Sequence, residues 1–212
     1  MPARGSSVSA PGLWKNMARV FAKCLQGLPA PATIEMAARA RALRADGKPV
    51  ISLALGEPDF ATPPAVVEAA YRAALDGQTK YPPIDGTPAL KSAIARKFAR
   101  DNALDYAPSE IMVSNGGKQV IFNAFMATLN PGDEVVVPAP YWVSYPLIAR
   151  MFGAKPVYVP CREEDGSRLK AEAPAAVLTP ATRWGGLNFP SNPTGAVCTA
   201  VGMQAIACVL YT

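Results

Sequence analysis

Glu134–Pro138 reads Glu-Val-Val-Val-Pro, with three consecutive valines and no polar residue among them to mark a solvent face. Only a strand covered on both sides buries such a run, so the chain must place it inside a sheet with layers above and below. The flanking sequence says what those layers are. Ala32–Gly47 predicts a helix, with Ile34, Ala37, Ala38 and Leu43 able to share one face and Gly47 as its stop. Val50–Ala54 (VISLA) is a short β-branched run and predicts a strand. Thr62-Pro63 has the form of an N-cap with proline at the first helical position, and Val66, Val67, Ala70, Tyr71 and Ala74 then recur at helical spacing until Gly77. Thr87-Pro88 repeats the pattern, with Leu90, Ile94 and Phe98 on one face up to Asn102.

Further along, Glu110–Ser114 predicts a strand and Gln119–Leu129 a helix, closed by an Asn130-Pro131-Gly132-Asp133 turn. After the valine run, Tyr141–Phe152 predicts a helix and Lys155–Pro160 another strand. Strands alternating with helices imply an α/β fold, a mostly parallel sheet sandwiched by helices.

Composition narrows the function classes. The 212 residues are half apolar and 17% charged, ample for a core, and the 22 prolines scatter at element boundaries instead of forming one tract. Of the net charge of +5, four positive residues (Arg4, Lys15, Arg19 and Lys23) precede the first acidic one, Glu35. The remainder is near balance, without the basic stripe that phosphate neutralisation on a nucleic acid requires. There is no histidine, which removes Ser-His-Asp and Cys-His nucleophile systems and most zinc sites. Cys24, Cys161, Cys198 and Cys208 form no C-x-x-C pair and read as reduced thiols of a cytoplasmic protein. No apolar run is long enough to span a membrane. Residues 1–31 read as a tail; a leader is the other reading of its basic and apolar stretch LWKNMARVFAKCL, which lacks an apolar region before a cleavage site.

Five local motifs could carry chemistry. Ser114-Asn115-Gly116-Gly117-Lys118, between a predicted strand and helix, has the outline of an anion cup, because glycines let backbone approach a phosphate and the helix offers unpaired N–H groups. A tight turn ahead of a helix reads equally well. Pro138–Pro146, PAPYWVSYP, follows the buried strand where ligands of open α/β sheets bind, and Trp142 could stack on a planar ring or merely cap the core. Ser191-Asn192-Pro193-Thr194-Gly195 could fix an asparagine amide, or be an ordinary Asx-type turn. In Leu55–Phe60, LGEPDF, Gly56 could admit a substrate carboxylate or only end a strand. Lys80-Tyr81-Pro82-Pro83 is a stiff loop presenting one phenol.

Taken in order, LGEPDF, TKYPPIDGTPALK, SNGGKQ, NPGDEVVVPAPYW and SNPTGAV resemble the class I/II, fold-type I pyridoxal-phosphate aminotransferases, and the prokaryotic-type aspartate aminotransferase branch above all. The resemblance runs from about Pro29 to Leu210 and implies the large-domain portion of that fold, truncated. It divides the chain into the tail (1–31), a helix leading into the large domain (32–48) and an incomplete cofactor-binding domain (49–212). It implies transfer of an amino group between an amino acid, aspartate by branch, and a 2-oxo acid, in a homodimer using pyridoxal phosphate.

Residue by residue, the resemblance assigns the cofactor phosphate to Gly117 and Lys118, and pyridine stacking to Trp142. It assigns the ring hydroxyl to Asn192, a neighbouring subunit's cofactor phosphate to Tyr81, and the substrate carboxylate to Gly56. The resemblance also assigns Trp142 and Asn192 to substrate binding. No metal is implied. The family's Schiff-base lysine, its aspartate at the pyridinium nitrogen and its carboxylate-binding arginine follow the N-P-T-G motif, beyond Thr212. The chain alone is therefore expected to be inactive. A non-catalytic fragment or pseudoenzyme that binds the cofactor or pairs with an intact homologue is the alternative, and a gene remnant without a folded product a third. Two departures from the family are Arg183–Asn188, where paired glycines interrupt an apolar strand, and Gly202, which weakens the helix expected after the N-P-T-G motif by about 1 kcal/mol relative to alanine. Loss of covering strands is also expected to leave apolar faces open around the valine run.

Overall fold

The computed structural model describes residues 22–26, 28, 32–56 and 58–211. The tail read over 1–31 therefore lies largely outside the described residues, as does Glu57 of the LGEPDF motif. The chain divides into two compact units, one of Ala32–Ile121 and one of Phe122–Thr212 with Met1–Pro31.

The second unit is built on a parallel three-stranded sheet in the order β2-β1-β3, with β1 at Glu134–Ala139, β2 at Lys155–Pro160 and β3 at Thr182–Gly185. The valine run is the central strand, and Val135, Val136 and Val137 are 1%, 2% and 1% exposed. Helices cover the valines from both sides, so the expected opening does not reach them, but Tyr158 and Trp184 on the flanking strands remain 38% and 36% exposed. On one face Val136 packs with Val159, Leu169 and Ile206, the last from helix α7 (Ala200–Tyr211). On the other, Trp184 stands beside Val135 in the register, with its ring 5.5 Å from Phe125 of α4 (Gly117–Thr128) and its indole N–H donating to Thr128 Oγ1 at 2.8 Å. Tyr158, paired with Val137, accepts a hydrogen bond on that face from Arg150 of α5 (Ser144–Met151). The short α6 (Glu172–Ala175) packs on β2 and α7.

Glycines shape the ends of this unit. β3 stops at Gly185, the first of the paired glycines, as their weak strand preference implies. Helix α7 forms in spite of Gly202, whose N–H is capped by Thr199 Oγ1 at 3.1 Å. A Cβ at Gly202 would lie 3.1 Å from Cys198 Sγ, so the missing side chain suits a tight helix start. Helix α5 begins at Ser144 instead of Tyr141, leaving Tyr141 and Trp142 in the loop that leaves β1.

In the first unit, α1 (Ala32–Ala45), α2 (Pro64–Leu75) and α3 (Pro88–Asn102) follow the sequence pattern closely. Of the apolar face read in α1, Ala37 is buried but Ile34 is exposed. Thr87 caps α3 as its sequence predicts, accepting from Leu90 N–H at 3.3 Å. Thr62 does not cap α2; Pro63 holds that position and Pro64 opens the helix. Two expected strands are absent. Val50–Ala54 is irregular and pairs with no strand, bending at Ala54, with Ile51 90% and Leu53 93% exposed. Glu110–Ser114 is a 3-10 turn (Pro108–Glu110) followed by extended chain, whose Val113 N–H donates to Asp85 O at 3.0 Å. Both runs have strand-like composition, but a strand needs a hydrogen-bonding neighbour, and neither has one among the described residues.

Two predictions follow from the packing. Ile206 is fully buried; Ile206→Ala is expected to cost about 3 kcal/mol in denaturant titration, where truncating the 81% exposed Val201 changes stability by less than about 0.5 kcal/mol. Glu134 is buried at the start of β1 and accepts from Thr179 Oγ1 at 2.7 Å and Lys155 Nζ at 3.0 Å. These donors, Thr179 foremost, hold its carboxyl below the usual glutamate range. A lowered folded value means stability that is complete above the unfolded value of about 4.3 and lost as pH falls through the folded one. Glu134→Gln should flatten the acid limb of a melting-temperature profile; an unchanged limb would show that the pair contributes nothing.

Candidate functional site

In the sheet-bearing unit, the carboxyl ends of all three strands open on one side. The connection from β1 runs through α5 to β2, and that from β2 through α6 to β3, on the far side of β1. Such a reversal parts the loops beyond the strand ends and leaves a crevice there, where open α/β sheets bind ligands. A pocket lies at this place. Its wall takes Pro138, Pro140, Tyr141 and Tyr145 from the β1 exit, Cys161 and Leu169 from the β2 exit, and Gly186, Asn188 and Asn192 from the β3 exit.

The β1 exit is aromatic. Tyr141 stacks on Tyr158 with centroids 5.0 Å apart, and the hydrogen bond between the two phenols raises the Tyr141 pKa above the usual range. Trp142 meets Tyr145 edge-to-face at 5.3 Å. Tyr145, not Trp142, lines the pocket, and burial pushes its phenol pKa up. Cys161 donates its backbone N–H to Ala139 O at 2.7 Å, and burial raises its thiol, so it stays a neutral wall group.

The β3 exit carries the amides. Asn188 Oδ1 accepts from the Asn192 backbone N–H at 2.8 Å, while Gly195 N–H donates to Ser191 O at 2.7 Å and Ser191 N–H to Ala196 O at 2.8 Å. The turn is thus closed by backbone and by Asn188, and the Asn192 side-chain amide has no partner among the described residues. An amide that its own turn does not use can donate or accept toward a ligand without dismantling that turn. Asn188 was not identified from sequence, where it reads as the end of an interrupted strand. Its signal is an amide leaving a glycine-broken strand four residues before Asn192.

The other candidates belong to the Ala32–Ile121 unit. Gly117 and Lys118 form the first turn of α4, and Gly116 before them has φ +84°, open to glycine and strained for other residues. The Gln119 side chain reaches back to accept from Asn115 N–H at 2.6 Å and so fixes the approach to the helix. A Cβ at either Gly116 or Gly117 would meet no atom within 4 Å. The helix start therefore faces open space with its N–H groups and positive dipole end, as an anion cup requires. Gly56 is exposed in irregular chain, and Tyr81 is completely exposed on its loop. Among the described residues, no group of His, Cys, Asp or Glu could hold a metal ion.

A parallel sheet with helices on its faces and a pocket at its carboxyl edge is the arrangement of a ligand-binding α/β protein. The chain belongs to the class I and II aminotransferase family, whose model matches residues 48–211. It is 50% identical over 178 residues to an aspartate/prephenate aminotransferase of Cereibacter sphaeroides, covering 84% of this chain and 44% of that protein. An aspartate aminotransferase of Rhizobium meliloti is also 50% identical, over 177 residues, covering 84% and 43%. The crystal structure of the aspartate aminotransferase from Rhizobium meliloti superposes with a TM-score of 0.85 at 48% identity, covering 89% of this chain and 47% of that one. The Thermus thermophilus aspartate aminotransferase with maleate gives 0.86 at 43% identity, covering 90% and 50%. The layers are those of the pyridoxal-phosphate-dependent transferase fold, and the chain spans about half the length of the relatives it matches, corresponding to their N-terminal half.

Removing the Asn188 amide should loosen the Asn192 turn without unfolding the sheet. Asn188→Ala is expected to raise hydrogen exchange at the Asn192 amide by about tenfold with a melting temperature within a few degrees of the parent; unchanged exchange would show that the turn closes without it.

Proposed function

We propose that this protein acts in amino-group transfer between an amino acid, aspartate by the names of its relatives, and a 2-oxo acid, with pyridoxal phosphate as cofactor. The observation that carries this reading is the Asn192 side-chain amide, without a partner among the described residues, on a backbone fixed by Asn188 at the pocket beyond β1 and β3. Pyridoxal phosphate, when bound, supplies an electron sink for the bonds at the amino acid's α-carbon.

The residues present fit such a group. Gly117 and Lys118 would hold its phosphate at the open start of α4, through backbone N–H groups and one ammonium. Trp142, backed by Tyr145, would cover the ring face, and Asn192 would hydrogen-bond the ring oxygen. Tyr81, completely exposed, would serve the phosphate of a second subunit's cofactor, and Gly56 would admit the substrate carboxylate to backbone. The described cysteines are all free, which supports a reducing, cytoplasmic setting. Among the described residues no helix is long and apolar enough to cross a membrane.

No lysine lines the pocket that contains Asn192, and Lys118 belongs to the cup. Residues 1–212 are therefore proposed to bind the cofactor non-covalently and, by themselves, not to turn over. The full exposure of Tyr81 favours a second reading beside this one, pairing of the chain with an intact subunit.

Titration of the purified chain with pyridoxal phosphate should shift the cofactor's absorbance, and Asn192→Ala should weaken binding about tenfold, roughly the loss of one hydrogen bond to a charged oxygen. Borohydride treatment should leave the chain's mass unchanged. Absence of any spectral change would defeat the cofactor reading, and a mass increase mapped to Lys118 would move that residue into the lysine's role.

A further inference from the structure

Lys91 is a buried charge, 8% exposed, on the first turn of α3. Its ammonium is paired with the half-exposed carboxylate of Asp85. Lysine is seldom buried without a reason, and a charged pair at low exposure adds little net stability over an apolar one but fixes which groups meet. What meets here is specific. Asp85 closes the loop that begins at Tyr81, and its carbonyl accepts from Val113 N–H at 3.0 Å. Gly86, at φ +105°, lies so close to Val113 that a Cβ there would come 2.5 Å from Val113 Cγ2. Val113 is the residue before Ser114, where the anion cup begins.

The loop transmits this anchor. Between Tyr81 and Asp85 stand Pro82, Pro83 and Ile84, and the two prolines have φ fixed by their rings. Fixing Asp85 therefore restricts Tyr81, and the same Asp85 fixes the chain entering the cup. The two elements assigned to cofactor phosphate share one attachment point inside the Ala32–Ile121 unit.

We propose that Lys91 is a positioning residue for phosphate recognition: its ion pair with Asp85 holds the Tyr81 loop and the Val113–Ser114 entry to the anion cup in one register. This rests on the cofactor reading above, and it adds two residues, Lys91 and Asp85, that touch no ligand themselves. A guanidinium can replace the ammonium at the same carboxylate, whereas a methionine of similar length cannot pair.

The test compares dissociation constants for pyridoxal phosphate and for pyridoxal, which lacks the phosphate, in the parent chain and in Lys91→Met, Lys91→Arg and Asp85→Asn. The parent should prefer the phosphorylated ligand. Lys91→Met and Asp85→Asn should lose about tenfold of that preference with pyridoxal affinity unchanged, and Lys91→Arg should keep most of it. Hydrogen exchange at the Val113 amide should rise in the first two variants and not in the third. Should Lys91→Met fail to fold, Asp85→Asn, altered at a half-exposed side chain, carries the same comparison. An undiminished phosphate preference in folded Lys91→Met or Asp85→Asn overturns the positioning role while leaving the cofactor reading intact. A parent chain with no preference for the phosphorylated ligand defeats the cofactor reading, and the positioning role with it.

Discussion

Burial of the β1 valines on both faces is the constraint from which the sheet-bearing unit follows. Because Val135, Val136 and Val137 are all hidden, β1 must be central, with a strand on each side and helices above and below. A parallel neighbour on each side requires crossovers, one leaving β1 through α5 for β2 and the other returning from β2 through α6, past β1, to β3. The crevice at the carboxyl ends is a by-product of that routing. Pro138, Pro140 and Tyr141 reach it because they directly follow the buried run, and Asn188 and Asn192 reach it because the paired glycines end β3 early.

The other unit depends on local devices instead. Thr87 caps α3, glycines with positive φ stop α1 and α2, and Asp85 gathers the loop behind it. Its apolar segment at Ile51 and Leu53 is open to solvent, so the unit's order comes from turns and caps more than from a shared core. The difference matters for function. The proposed anion cup needs only a helix start with glycines beside it, whereas the pocket needs side chains converging from three strand ends.

Elements whose stability is local or whose pattern is extreme were readable from the chain. The α3 cap, the β2 boundaries and the buried β1 run are of this kind, and so is the motif series that places the chain in its family. Val50–Ala54 and Glu110–Ser114 were misread because β-branched composition signals only a capacity to pair, and no local residue reveals whether a neighbour exists. The helix after β1 starts late, leaving Tyr141 and Trp142 in the loop, because aromatics in that loop find partners across the fold, Tyr158 for Tyr141 among them. Asn188 was missed for a related reason: its partner is a backbone N–H whose position is set only once the turn is closed. The pocket motif itself was legible; the residue that holds it was not.

On the proposed function, residues 114–120 serve the cofactor's phosphate and residues 186–196 its ring. Hydrogen–deuterium exchange of the whole chain with and without pyridoxal phosphate tests it most directly. Exchange should slow in 114–120 and in 186–196, with α2 and α6 unchanged. Protection confined to one of those segments, or located elsewhere, would contradict it.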